Sequence, residues 1–234
     1  MKQLALAVSL PDHAIFDTFV AHGNEALVQQ CRMLAKDSSI GETLFISGLE
    51  NSGKTHLLQA MCHACPADVQ AVYLDLDNPD FPPDILQGWE QVQLLCLDNI
   101  DRIQGQADWE EALFDLFNRR LERAPGKRAS LVMTAARPLA DLRLDLADLR
   151  SRLSSGLIHA LAVLADEYLS EALLLHARQR GLEIPKETLE FILKRLPREL
   201  GSLMNWLELA DQAALEAQRK LTVPFVRKLI SEVN

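Results

Sequence analysis

The stretch Gly48-Leu49-Glu50-Asn51-Ser52-Gly53-Lys54-Thr55 carries the residue types that bind a polyphosphate, at the spacing G-x-x-x-x-G-K-[ST]. The two glycines let the backbone wrap closely, and the N–H groups from Gly48 through Asn51 and Ser52 to the following helix start would point at phosphate oxygens. Lys54 would reach the terminal phosphates, and the Thr55 hydroxyl would bind Mg²⁺. A second chemical group belongs with it. Val92 to Asp98 is a near-continuous apolar run ending on an acid, the place of a Mg²⁺ carboxylate, so Asp98 pairs with Thr55 as the metal site. The next residue is Asn99. An amide orients water but takes no proton from it, and general-base catalysis is worth roughly 10²–10⁴ in rate. Asp101 lies close enough in sequence to substitute, so slow turnover is expected rather than none. These residues define a protein that binds a nucleoside di- or triphosphate.

The elements around them read as an α/β fold. Thr43–Ser47 before the loop is a buried strand and His56–Cys65 after it a helix, which is the setting a working phosphate loop needs. Further strands are expected at 69–75, 92–98, 130–135 and 157–164. The fourth ends near Thr134, whose hydroxyl opens onto the ligand crevice and would sense the terminal phosphate or water. An amphipathic helix runs from about Asn24 to Lys36 and another from about Asp108 to Arg123, with Trp109, Leu113, Leu116 and Phe117 on its core stripe. Phe114 and Asn118 lie off that stripe, where Phe114 either packs under a loop or marks a partner surface. Phe16 and Phe19 either wall an adenine pocket or pack in the core. From Asp166 onward the pattern is helical, over 166–180, 185–195, 198–218 and 222–232. The expected organisation is a tail over 1–12, a nucleotide-binding domain over 13–164 and a helical domain over 165–234.

Composition narrows the class. A net charge of −9 over 234 residues argues against a whole-surface nucleic-acid binder, while leaving room for a local patch. Arg119, Arg120, Arg123, Lys127 and Arg128 form such a patch, either a solvated helix end or a contact for DNA phosphates. Cys62 and Cys65 share a helix face without a second ligand pair at zinc spacing, and with Cys31 and Cys96 read as reduced structural thiols. The apolar stretch Leu4–Val8 is shorter than the roughly 7–15 residues of a signal peptide. No run approaches the ~18 apolar residues of a membrane span. A cytosolic protein is expected. Gln3-Leu4-Ala5-Leu6-Ala7-Val8 alternates like an edge strand, or like a peptide ligand that places Leu4, Leu6 and Val8 in a partner's pockets with Gln3 as polar anchor. It resembles the Q-L-x-L-[FL] sequences with which bacterial proteins bind the DNA polymerase sliding clamp.

The loop, the Asp98 strand, Thr134, Ser151-Arg152-Leu153 and the helical end stand in AAA+ order. Gly53-Lys54-Thr55-His56-Leu57-Leu58, Leu149–Leu157 and Arg198-Glu199-Leu200 resemble segments of the core of the replication initiator DnaA, over roughly 14–234. The resemblance implies an AAA+ P-loop NTPase with a three-layer αβα core, a five-stranded parallel sheet and a small all-helical lid. It adds His56 to the nucleotide site, makes Thr134 the first sensor, Arg152 an arginine finger acting in trans, and Arg198 a second sensor touching phosphate from the lid. Two departures stand out: Asn99 replaces an acid, and the helix-turn-helix domain of DnaA is not found before Asn234. With the clamp-binding-like N-terminus, the pattern resembles the Hda family. That implies bound ADP with Mg²⁺, the DnaA AAA+ domain, the sliding clamp and its DNA as partners, and stimulation of ATP hydrolysis by DnaA that prevents re-initiation. Phe114 and Asn118 would then join Gln3, Leu4 and Leu6 as partner-binding residues. An ATP-driven loader or remodeller, such as a helicase loader, is the alternative, and self-association stays open.

Overall fold

The structure, a computed structural model, describes residues 13–37, 41–124, 127–217 and 219–233. The clamp-binding-like segment with Gln3, Leu4 and Leu6 lies outside the described residues. The chain divides into two compact units. Of the described residues, those up to Phe16 and Asn24–Ala162 form the first. Asp17–Gly23 and those from Val163 on form the second. The division falls two residues ahead of the expected 164/165 boundary. It also moves residues 17–23 to the helical unit, because Val20 packs against that unit's core and His22 stacks on Tyr168 at 3.9 Å.

Among the described residues of the first unit, β1 (Thr43–Ser47), β2 (Ala71–Asp75), β3 (Leu94–Asp98), β4 (Ser130–Ala135) and β5 (Leu157–Ala160) form one parallel sheet. Its order is β2-β3-β4-β1-β5. The central strands β3 and β4 are buried at every residue, as their apolar runs require of strands covered on both faces. Edge strand β5 is shorter than its apolar run suggested, and Leu157 and Ile158 on it are exposed. The helices are α1 (Glu25–Lys36), α2 (Lys54–Ala64), α3 (Ala107–Glu122) and α4 (Ala147–Ser154). The α3 stripe of Trp109, Leu113, Leu116 and Phe117 is buried in the core shared with Phe45, Leu97 and Leu131.

Two charged side chains of α3 are also buried. Glu110, 1% exposed, accepts the N–H of Gly105 and of Leu146, each at 2.8 Å, and so ties α3 to the loop that leads into α4. Removing a buried acceptor strands its donors at about 1–3 kcal/mol. Glu110→Ala is therefore expected to lower stability by that amount in chemical denaturation, with Glu110→Gln in between. Arg120 corrects the reading of a basic surface patch. It is 4% exposed and donates to the carbonyls of Ala129 and Gly41, and burial beside Arg128 lowers its pKa to about 10. Arg128 caps α3 through the carbonyls of Arg123 (3.1 Å) and Leu121 (3.2 Å), where a cation also suits the helix dipole. Arg123 donates to Lys127 O at 3.0 Å, and Arg119 lies 3.7 Å from Glu90. Arg120 and Arg128 thus build the α3–β4 connection, while Lys127 stays exposed.

The second unit holds α5 (Leu169–Gln179), α6 (Lys186–Arg195), α7 (Leu200–Ala217) and α8 (Val223–Val233). Its own core is made by residues such as Leu173, Ile192, Leu203, Trp206, Leu207 and Val226. Arg198 is exposed in the turn ahead of α7, which begins two residues later than its sequence pattern suggested. The four cysteines are free. Cys31 is buried, which pushes its thiol up to about 12, and Cys96 is buried beside Cys62.

Candidate nucleotide site

The parallel register brings the chemical residues to one edge of the sheet. Ile46 lies opposite Thr134 and Asp75 opposite Asp98, so the loop after β1, Thr134 and both acids share the carboxyl ends of neighbouring strands. The loop itself is shaped by its glycines. Gly53 caps α2 at φ 96°, and a side chain at Gly48 would meet Ser52 Oγ at 2.7 Å. Asn51 turns at φ 60°, a conformation asparagine tolerates. Gly48 N donates to Ala135 O at 3.1 Å, which anchors the loop's start to β4.

Lys54 is 7% exposed, with Nζ donating to Gly48 O and Leu49 O at 2.8 Å each. Burial lowers its pKa, against the pull of Asp98, Asp101 and Glu50. Asp98 is fully buried. Its Oδ2 accepts from Thr55 Oγ1 at 2.6 Å and from Tyr73 OH at 2.9 Å, and its Oδ1 from Thr134 Oγ1. Asn99 adopts φ 59°, donates its N–H to Thr134 Oγ1 at 3.2 Å, and its Nδ2 to Asp75 Oδ1 at 2.9 Å. Asp101, the possible substitute base, is used on the backbone, where Oδ1 accepts from Ala136 N at 3.0 Å. The sequence reading missed Tyr73 and Asp75. Their only signal was alternation along β2, since Tyr73 sits two positions before an acid that ends the strand.

The residues fit a nucleotide with its metal. Ser52 Oγ is buried without a hydrogen-bond partner in the phosphate loop, a donor that a phosphate oxygen would satisfy. Among the described residues no group of three or more His, Cys, Asp or Glu could hold a metal alone. The Thr55–Asp98 pair suits Mg²⁺, which takes one or two protein oxygens and completes its shell with phosphates and water. Thr55 and Asp98 would hold it, and its charge would neutralise the phosphates.

His56 is placed differently from its expected role. Its Nε2 lies 2.9 Å from Ile15 O, an acceptor only, so that nitrogen donates and straps the segment ahead of α1 onto α2. Burial lowers its pKa below 6.5. A depressed histidine contributes stability above its unfolded pKa and loses it as pH falls through the folded value. Melting temperature is expected to fall as pH drops below 6.5, with a shallower slope in His56→Gln. Phe16 is buried in the first unit under the Arg32 guanidinium, 4.6 Å from the ring, so it serves the core.

On α4, Leu149 and Leu153 face the core. Arg150 spends its guanidinium on the carbonyls of Leu139 and Leu142. Arg152 does not: it is half-buried, and its Nη2 reaches Asn118 Oδ1 of α3 at 3.4 Å. The structure thus brings Arg152 and Asn118 together. Phe114, one turn before Asn118, is half-buried against the core.

Sheet order, phosphate loop and Asp98–Thr134 contact define an AAA+ protein, and comparison with solved structures agrees. Domain III of the replication initiation protein DnaA from Thermotoga maritima matches with a TM-score of 0.77 and 19% identity, over 95% of this chain and 98% of that one. AMPPCP-bound DnaA from Aquifex aeolicus matches at 0.68 and 20% identity, over 86% of this chain and 66% of that one. The RuvB Holliday junction branch migration motor of Thermotoga maritima matches at 0.62 and 18% identity, over 90% and 70%. At these identities the likeness is one of fold. Residues 166–230 match the family described as Hda, lid domain. The chain thus has an AAA+ fold like that of domain III of DnaA, and its residues 166–230 are similar to the Hda lid domain. Among its described residues, no helix is long and apolar enough to cross a membrane.

Proposed function

We propose that the protein is a nucleotide-bound regulator, holding ADP with Mg²⁺. With the DNA-loaded sliding clamp, it stimulates ATP hydrolysis by DnaA and so prevents re-initiation of replication. The observation that carries this reading is Arg152, on a DnaA-type core joined to an Hda-type lid. It sits beside Asn118 while its neighbour Arg150 does the structural work. A guanidinium supplied in trans is worth ~10³–10⁵ in the partner's rate whatever the donor's own turnover.

Asn99 supports the same division of labour, since the residue after Asp98 lacks a base while Lys54, Thr55 and Asp98 keep the means to bind. Arg198 would touch the phosphates from the lid, so the nucleotide would bias the arrangement that presents Arg152. Phe114 and Asn118 would border the DnaA contact. Gln3, Leu4 and Leu6 would dock on the clamp, which brings DNA to the complex.

The test is ATP hydrolysis by DnaA with clamp-loaded DNA, with and without this protein and its variant lacking residues 3–8. Acceleration by wild type and not by the deletion is expected. If DnaA's rate stays unchanged while this protein alone turns over ATP rapidly, it is an ATP-driven loader instead.

A further inference from the structure

Asn99 is held from three directions. Its backbone sits in the left-handed region, its N–H bonds Thr134 Oγ1 at 3.2 Å, and its side-chain Nδ2 bonds Asp75 Oδ1 at 2.9 Å. The last bond crosses from β3 to β2, whose register sets Asp75 opposite Asp98. Asp75 Oδ1 is fixed in turn by Asp77 N at 3.0 Å. A carboxylate accepts hydrogen bonds and donates none, so it selects the NH₂ end of the amide. The other end, Oδ1, is the one Asn99 has left to offer. That oxygen can accept a hydrogen from water and cannot carry the proton away.

The same geometry restricts what position 99 can hold. An acid there would face the Asp75 carboxylate at hydrogen-bond range with no proton donor between them, a like-charge contact that destabilises both groups. We infer that Asp75 is a positioning residue of the nucleotide site: it locks Asn99 as a water-orienting amide and bars an acid from position 99, which keeps intrinsic turnover low. Asp75 acts through Asn99, to which it is hydrogen-bonded. The inference rests on the nucleotide-site reading and deepens it, because low turnover then has two residues behind it rather than one. Exchanging the pair reverses the device. With asparagine at 75 and aspartate at 99, the hydrogen bond is kept and the carboxylate stands beside Asp98.

Four full-length proteins test this: wild type, Asp75→Asn, Asn99→Asp and the double exchange. Melting temperature without nucleotide reads the pair itself. Both single variants are expected to melt below wild type and the double exchange to recover most of the loss. Steady-state hydrolysis at saturating MgATP, with affinity from displacement of a fluorescent ADP, reads the function. The double exchange is expected to turn over at least tenfold faster than wild type and clearly faster than Asn99→Asp. Affinity is expected to stay within a few-fold, so the effect lies in kcat. Additive melting losses would overturn the coupling, and Asn99→Asp matching the double exchange in turnover would overturn the gating. A wild type that takes up no fluorescent ADP sinks the nucleotide-site reading and the gating with it, while the melting cycle still decides whether Asp75 and Asn99 are coupled.

Discussion

Arg152→Ala is expected to leave the protein folded and nucleotide-binding while cutting its stimulation of DnaA by about 10³-fold or more. The fold survives because Arg152 does not hold α4 in place. Leu149 and Leu153 bury the helix, Arg150 straps it through two carbonyls, and Glu110 fixes the residue before it. The stimulation fails because a planar, permanently charged guanidinium is what neutralises charge on a transferring phosphoryl group. A factor of 10³ corresponds to about 4 kcal/mol of barrier. The contact with Asn118, at 3.4 Å, is long enough to be exchanged for a phosphate oxygen without much loss. Arg152→Lys is expected to recover little, since one ammonium does not reproduce the fork. Arg150→Ala makes the contrasting control, with lowered melting temperature as its first effect. Wild-type stimulation by a folded Arg152→Ala protein would end the in-trans reading.

What the sequence made legible were features carried by local pattern. The loop spacing, the apolar run ending at Asp98, the α3 stripe and the helical lid all follow from side-chain types a few residues apart, and each lies where expected. Contacts that depend on register between strands were out of reach. Nothing local says that Tyr73 meets Asp98 or that Asp75 meets Asn99; both follow from β2 lying beside β3 in one alignment. Buried charges bonded to backbone were missed for a related reason. Glu110 and Arg120 find their partners in amides and carbonyls, which every sequence has and no motif marks. Residues 17–23 went astray because a short segment's allegiance is decided by tertiary packing, here Val20 and the His22–Tyr168 stack. Within the Arg119–Arg128 cluster, charge composition could not mark Arg120 and Arg128 as the guanidiniums that staple a strand and cap a helix.

Lys54→Ala should cost roughly 10²–10⁴-fold in affinity for ADP. Nζ can give two charge-assisted hydrogen bonds to phosphate oxygens at about 1.5–3 kcal/mol each, and each 1.4 kcal/mol is roughly tenfold in Kd. The environment raises the stakes. Lys54 is 7% exposed and its ammonium is already partly desolvated, as its lowered pKa reflects, so an arriving anion gains more than it would at the surface. The fold should tolerate the change, because Gly48 keeps its bond to Ala135 and α2 its packing through Leu57, Leu58 and Met61. Thermal shift separates the two effects. At 100 times its own Kd, ADP stabilises wild type by about 2.7 kcal/mol, and the variant at the same concentration should shift hardly at all. A linked pH effect carries a definite sign. Burial holds the free lysine's pKa below 10.5 and a bound polyphosphate raises it, so binding takes up a proton on the alkaline side and affinity declines as pH rises through the free value. Lys54→Ala should lose that slope along with the affinity. A variant that binds ADP as tightly as wild type would mean that the loop holds its ligand through backbone amides alone.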